Sequence, residues 1–306
     1  MKIGIIGLGD IAQKAYLPVI TQKTGIELVF CTRQPETVKR LSQQYRINEY
    51  CTQYQDLLKH SVDAVMIHAA TAVHHEIAQF FLSHNIPTFV DKPLADSAAQ
   101  CEELYDIADK HQQPLYVGFN RRHIPLYNQQ LPSLQKGQQS DLRVMRWEKH
   151  RHNLPGELRT FVFDDFIHAL DSVNLAAKAT LEGVNLNIAK EGSQLSRIDV
   201  SWQHQDTIYQ ASMNRQFGIT RERMSVALVN QSYEFDSFVS GKKWIDGQEH
   251  QVALKDWTPM LSSKGFDAML EDWFAVVRSG KLPTHTAQRN LATHQLAEAI
   301  LNEIER

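Results

Sequence analysis

Cysteine is scarce in this 306-residue chain: Cys31, Cys51 and Cys101 are odd in number, widely spaced and set in apolar or helical patterns. Such a set cannot form a disulfide framework and reads as reduced core thiols of a cytosolic protein. A surplus of one charge is also missing, since 32 Lys and Arg face 35 Asp and Glu for a formal charge of −3. That leaves no basic excess to neutralise a nucleic-acid backbone or an anionic lipid surface, so neither kind of partner is expected. Long hydrophobic runs are absent too. Nothing approaches the ~20 apolar residues of a membrane span. The apolar stretch at residues 3–8 is too short, and too broken by glycine, for a signal peptide. The expected location is cytoplasmic. Pro and Gly, at 10 and 14 residues, are too few for a disordered tail, and the length suffices for two cores.

The first part of the chain alternates β-branched runs with amphipathic helical patterns. Strands are predicted at residues 2–7, 27–32, 63–68, 87–91 and 115–119, with helices opening near Ile11, Glu36, Val73 and Ser97. This alternation predicts an α/β fold, a doubly wound parallel sheet of the Rossmann type. Beyond Arg122 the texture changes to strand-like runs at 142–147, 184–189, 197–203, 208–214, 224–229 and 232–239, with a hairpin-like connection at Gln205-Asp206. Helical patterns cover 164–178, 264–279 and 287–304. The expectation is a Rossmann domain over 1–120, then an α+β domain over 121–306 with a mostly antiparallel open sheet for substrate binding and oligomerisation. A sheet covered by helices on one face would leave Met213, Phe217, Tyr233, Phe235 and Phe238 partly in water, which predicts a homodimer or homotetramer.

Gly7-Leu8-Gly9-Asp10-Ile11-Ala12 closes the first strand and opens the first helix, the setting in which a G-x-G-x-x-A run binds a dinucleotide. Gly7 permits the tight turn, Gly9 admits a pyrophosphate close to the backbone, and Ala12 keeps the helix near the sheet. Asp10 and Ile11 lie where the helix N-terminus offers free N–H groups. The second strand ends on Thr32-Arg33 with no carboxylate at its tip. A hydroxyl beside a guanidinium suits the 2′-phosphate of NADP. NAD stays open as the alternative, with Arg33 a solvated loop residue and Glu36 on the ribose.

Further segments follow in order: residues 65–76, Asp91-Lys92-Pro93, residues 118–122, Asp164 to His168 with Asp171, and residues 265–283. Together with the glycine loop they resemble the Gfo/Idh/MocA oxidoreductase family, most closely its MviM-type, YceM-like branch. The resemblance implies that Lys92 lies beside the nicotinamide and touches the reacting hydroxyl. Read alone, Lys92 is a strand-end lysine with a fixed backbone whose ammonium can stabilise an alkoxide. The resemblance also makes His168 the acid/base and Asp164 its positioning partner, and a spacing of four puts the two on one helix face. It adds His68, Ala69, Ala70, His74, Asp91 and Asn120 as cofactor contacts. Two departures stand out. Ala69-Ala70 replaces the family's Thr-Pro, and the usual glycines are missing both just before Asp164, where the chain reads Leu158 to Phe163, and at the third position of the Asp-x-x-x-His motif, where Phe166 stands. No metal is expected, because neither His150 and His152 nor His74 and His75 has zinc-like spacing with Asp164 and His168. The implied activity is reversible hydride transfer between NADP(H) and a hydroxyl-bearing carbon of a small sugar- or polyol-like substrate. Two alternatives remain at this stage: a non-catalytic cofactor-binding sensor or interaction protein, and NAD-assisted glycoside cleavage.

Overall fold

The computed structural model describes residues 1–135 and 137–306. The chain divides into two compact units, Met1–Phe119 with Phe266–Gln288, and Asn120–Gly265 with Arg289–Arg306.

The first unit is built on six parallel strands: β1 (Lys2–Ile6), β2 (Glu27–Cys31), β3 (Glu49–Cys51), β4 (Ala64–Ile67), β5 (Thr88–Val90) and β6 (Leu115–Val117). Their spatial order is β3-β2-β1-β4-β5-β6. Ile3, Ile5, Val29, Phe30, Val65, Met66, Phe89 and Val90 are all fully buried, as strands covered on both faces require. The order reverses between β1 and β4, the switch point at whose carboxyl end such sheets bind ligands. Strand β3 has no signature in the sequence: three residues, Glu-Tyr-Cys, are too few to show a period. It forms by pairing with the edge of β2, Val29 opposite Glu49 and Cys31 opposite Cys51.

The helix Phe266–Ser279 was expected in the second domain and lies in the first unit. Phe266, Met269, Leu270, Trp273 and Phe274 form its buried stripe, at the 3- and 4-residue spacings of one helix face. Trp273 meets Phe89 at 5.9 Å and Tyr116 at 5.6 Å between ring centroids. On the polar side Tyr116 donates to Asp272 at 2.8 Å, and Lys23 reaches Asp267 at 2.5 Å and Glu271 at 2.7 Å. The pattern at residues 266–274 announces an amphipathic helix but does not say which core accepts it.

The second unit carries eight strands: β7 (Leu142–His150), β8 (Val184–Glu191), β9 (Gln194–His204), β10 (Thr207–Asn214), β11 (Arg221–Leu228), β12 (Gln231–Phe235), β13 (Ser240–Ile245) and β14 (Gln248–Ala253). Their order is β14-β13-β12-β11-β7-β10-β9-β8. Every neighbouring pair is antiparallel except β7 with β10. Strands β13 and β14 escaped the sequence reading because Lys, Glu, Gln and His dominate them and no apolar alternation shows. Asp246-Gly247 joins them with both φ angles positive, 53° and 73°, the signature of a two-residue hairpin turn. The helix Ile167–Val173 packs on β7 and β10.

Burial alternates along β10, with Tyr209, Ala211 and Met213 inward. Met213, Tyr233 and Phe235 are therefore core residues, at 0%, 5% and 1% exposure. Phe217 stacks on His150 at 4.3 Å, and Phe238 lies under the Arg121 guanidinium at 5.6 Å. The opposite face carries residues such as Arg146, Gln210, Ser212 and Arg223, all with some exposure. Of the five residues expected partly in water, Met213, Tyr233 and Phe235 thus point inward, whereas Phe217 is 36% exposed and Phe238 half-buried; successive residues of a strand face opposite sides, so strand phase decides which are covered.

Asp171 is the buried anion that locks this unit. Arg122 forks onto its two carboxylate oxygens at 2.9 and 2.6 Å, Thr293 donates at 3.2 Å, and Arg289 donates to its backbone carbonyl at 2.5 Å. Burial acts to raise its pKa, but Arg122 and Arg289 outweigh it and hold the carboxyl below its ordinary value. The stability this contributes is therefore present at neutral pH and is lost as pH falls through the folded pKa. Asp171→Asn strands two arginines in the interior and should lower unfolding stability by about 3–5 kcal/mol. Urea denaturation followed by circular dichroism measures this, and a loss under 1 kcal/mol would contradict the account.

Candidate active site

In the first unit the site begins where β1 ends. Gly7 has φ +87°, and a Cβ there would come within 2.5 Å of the Ala69 nitrogen. Only glycine fits. Its N–H donates to Cys31 at 2.9 Å, which ties the loop to the residue before Thr32. Gly9 differs: nothing lies within 4 Å of a Cβ built on it. No packing in the protein demands a glycine at that point, and the open space is what a pyrophosphate approaching the backbone needs. Asp10 and Ile11 are exposed at the helix start, Asp10 pairing with Lys14 at 2.8 Å, and Ala12 is fully buried against the sheet. Thr32 is half-buried and Arg33 exposed just past β2, at the same carboxyl edge.

His68 follows β4, its N–H donating to Ile6 at 2.7 Å. The imidazole is enclosed and stacks on Tyr16 at 3.9 Å between centroids. Both ring nitrogens are buried without a hydrogen-bond partner. Burial, and secondarily the nearby His74, push its pKa down to about 3, so the ring is neutral with one donor and one acceptor unused. Leaving both unmet costs on the order of 1–3 kcal/mol each, a cost that a polar ligand at this position would relieve. His74 instead has a carbonyl oxygen within hydrogen-bond reach of each nitrogen, Pro93 2.9 Å from Nδ1 and Ala69 2.9 Å from Nε2. It staples the loop after β4 to the loop after β5. Ala69 is half-buried and Ala70 exposed beside it.

Asp91 closes β5, where its N–H donates to Ile67 at 2.9 Å. Its Oδ1 accepts from the Tyr16 hydroxyl at 2.8 Å and from the Lys92 N–H at 2.9 Å. Burial raises its pKa despite the opposing charge of Lys92 and the bond from Tyr16. Asp91 therefore supports the backbone of Lys92, itself half-buried, from beneath. Gly118, at the end of β6, completes this corner: a Cβ would meet the Tyr16 oxygen at 2.8 Å and Asp91 Oδ1 at 3.1 Å. Gly118 opens the 118–122 segment that carries the resemblance, without a role of its own there, and Tyr16 has no mark in the sequence; a tyrosine in a helical pattern carries no sign of a buried acid 75 residues away.

In the second unit Asp164 and His168 occupy a continuous helical run, a wide-turned stretch Thr160–Phe166 leading into Ile167–Val173. Asp164 is exposed, and His168 is buried, its carbonyl accepting from Ser172 at 2.7 Å. Phe161, Val162, Phe163 and Phe166, which stand where glycines were expected, are all buried in the core. Their bulk fills the interior of this unit. Asp165, unremarked in the sequence, is clasped by Lys149, Arg151 and Arg215. Asn120 belongs to this unit, and its amide is engaged there, donating to the Lys264 carbonyl at 2.8 Å and accepting from Arg121 at 3.0 Å. The structure thus gathers the glycine loop, Thr32, Arg33, His68, Ala69, Ala70, His74, Asp91 and Lys92 at one sheet edge, and holds Asp164 and His168 on one helical run. Among the described residues no group of three His, Cys, Asp or Glu is placed to hold a metal ion, and no helix is long and apolar enough to cross a membrane.

Comparison with known proteins extends over the whole chain. Residues 1–119 match the oxidoreductase family with an NAD-binding Rossmann fold, and residues 125–240 match the YceM-like C-terminal domain. A crystal structure of a Gfo/Idh/MocA family oxidoreductase from Vibrio cholerae is 61% identical, with 100% of this chain and 98% of that one covered and a TM-score of 0.98. The YceM protein of Salmonella typhimurium is 28% identical over 98% of this chain and 97% of its own. An inositol 2-dehydrogenase of Acidothermus cellulolyticus is 23% identical over 99% of this chain and 93% of its own. With the glycine loop, the strand-end Lys92 and this full-length identity together, the chain belongs to the Gfo/Idh/MocA oxidoreductase family, an NAD-binding Rossmann domain joined to a YceM-like C-terminal domain.

Proposed function

We propose that this NAD(P)-dependent oxidoreductase uses NADP(H) and acts on a hydroxyl-bearing carbon of a sugar- or polyol-like substrate. The observation that carries the reading is the corner built on Asp91. A buried carboxylate, fixed by Tyr16, holds the backbone of Lys92 just past β5, at the same edge of the sheet as an open Gly9 and an enclosed, unsatisfied His68. Those features fit a dinucleotide. Gly7, Gly9, Asp10, Ile11 and Ala12 would take its pyrophosphate, and His68, Ala69 and Ala70 its nicotinamide end. His74 and Asp91 hold the loops in place, and Asn120 acts from the backbone, its side chain being engaged elsewhere. The bound nicotinamide supplies the hydride acceptor or donor.

The chain's own residues then divide the remaining work. Lys92 presents an ammonium that stabilises negative charge developing on the substrate oxygen. His168 takes or gives the hydroxyl proton. Asp164, four residues earlier on the same helical run, orients the imidazole. The buried Phe161, Phe163 and Phe166 favour this reading over a non-catalytic sensor, because the departures from the family's glycines occupy the core. A polyol-like substrate is in keeping with the name of the inositol 2-dehydrogenase relative.

Thr32 and Arg33 meet the 2′-phosphate in this proposal, so the protein should bind NADPH more tightly than NADH. Arg33→Ala should cost NADPH roughly 1.5–3 kcal/mol, the worth of a charge-assisted contact, and leave NADH unchanged. Calorimetric titration with both nucleotides decides it, and equal affinities in the wild type would sink the NADP assignment. With a substrate found by screening sugars and polyols for NADPH oxidation or NADP reduction, His168→Asn should lower turnover roughly 10²–10⁴-fold. Lys92→Met should do at least as much, and both variants should bind NADPH nearly as the wild type does. Turnover indifferent to both replacements would remove this mechanism.

A further inference from the structure

The Asp165 carboxylate is enclosed by more positive charge than it can balance. Lys149 Nζ lies 2.5 Å from Oδ1 and 3.1 Å from the Asp165 carbonyl oxygen. Arg151 forks onto the carboxylate, Nε to Oδ2 at 2.9 Å and Nη2 to Oδ1 at 2.8 Å. Arg215 Nη2 adds a bond to Oδ2 at 2.9 Å, its guanidinium stacked on Phe161 at 4.4 Å. The adjacent Asp164 also acts on Arg215, and the Arg121–Glu222 pair near Lys149 is neutral in sum. Three cations against two carboxylates leave one positive charge in excess in a largely buried cluster.

Uncompensated charge away from water is costly. The cost shows at Lys149, where burial pushes the ammonium down to about 8 in spite of Asp165. Two guanidinium donors also lack acceptors. Arg215 Nε is fully enclosed without a partner. Arg151 spends Nε and Nη2 on Asp165, and no bond to Nη1 occurs among the described residues. Its side chain is 32% exposed and Nη1 is not among the enclosed unpartnered atoms, so that edge is open to solvent. Asp165 lies three residues before His168 on one helical run, which puts the surplus beside the proposed acid/base.

We propose that this cluster receives an anionic group of the substrate, a carboxylate or a phosphate, on the open edge of Arg151, making the substrate an acidic sugar or polyol derivative. The inference rests on the hydride-transfer reading for the word substrate, but the anion site itself can be tested without turnover. The full chain, with and without NADPH, is titrated calorimetrically with inorganic phosphate, glucuronate and glucose. At least one anion should bind and glucose should not; whichever anion binds tighter tells phosphate from carboxylate. Arg151→Gln should weaken that binding ~10-fold or more, the worth of a charged hydrogen bond, and Arg151→Lys, which keeps the charge without the fork, should weaken it less. Should the Gln variant not fold, wild type against Arg151→Lys carries the comparison. Glucose binding as well as glucuronate, no binding of either anion, or anion binding indifferent to every Arg151 replacement that folds would overturn the site. Anion binding without hydride transfer to any substrate counts against the proposed function alone, whereas turnover of neutral sugars with no anion binding counts against this proposal alone.

Discussion

A carboxylate buried under a lysine backbone is the constraint on which the first unit turns. Asp91 has little water to stabilise its charge, so it depends on the Tyr16 hydroxyl and the Lys92 N–H, both delivered to one oxygen. Tyr16 can reach it only if the first helix lies close to the sheet, which the fully buried Ala12 allows, and only if β6 ends on a residue without a side chain, which Gly118 supplies. The same tyrosine packs against His68 and Phe266. One hydrogen bond therefore couples the glycine loop, the strand ends of β4, β5 and β6, and the distant helix Phe266–Ser279.

The second unit follows a different rule, with anions placed under a sheet and bound by arginines and lysine. Asp171 is held by Arg122 and Arg289, and Glu222 by Arg121 together with the Trp147 indole at 3.0 Å. Asp165 draws the most cations of the three: Lys149, Arg151 and Arg215. Buried ion pairs of this kind are indifferent or costly for stability compared with apolar packing but specific in geometry. Two of these anions, Asp165 and Asp171, lie on the helical run Thr160–Val173, so their cations hold that run in register.

Much of this was legible in the chain itself. Parallel strands buried on both faces appear as unbroken apolar runs, which is why β1, β2, β4, β5 and β6 can be drawn from composition alone. Gly7 carries its meaning openly, since a positive φ against the Ala69 backbone admits no other residue. The antiparallel strands with clear alternation, β9 and β10 above all, were readable for the same reason of period. Strand β3 was too short to have a period, and β13 and β14 were too polar on both faces to show one, though Asp246-Gly247 marks their turn.

The sequence by itself determined the class of fold, the dinucleotide loop, and the residue types at the chemical positions, because these depend on local backbone geometry and on spacing within one element. Tertiary structure alone decided which face of the antiparallel sheet is covered, and so that Met213, Tyr233 and Phe235 point inward. It also decided that the helix Phe266–Ser279 serves the first core, that Phe166 fills the interior, and that Tyr16 reaches Asp91. Each of these rests on pairings between residues far apart along the chain. No spacing records such pairings, because burial and charge balance are settled only when both partners have lost their water.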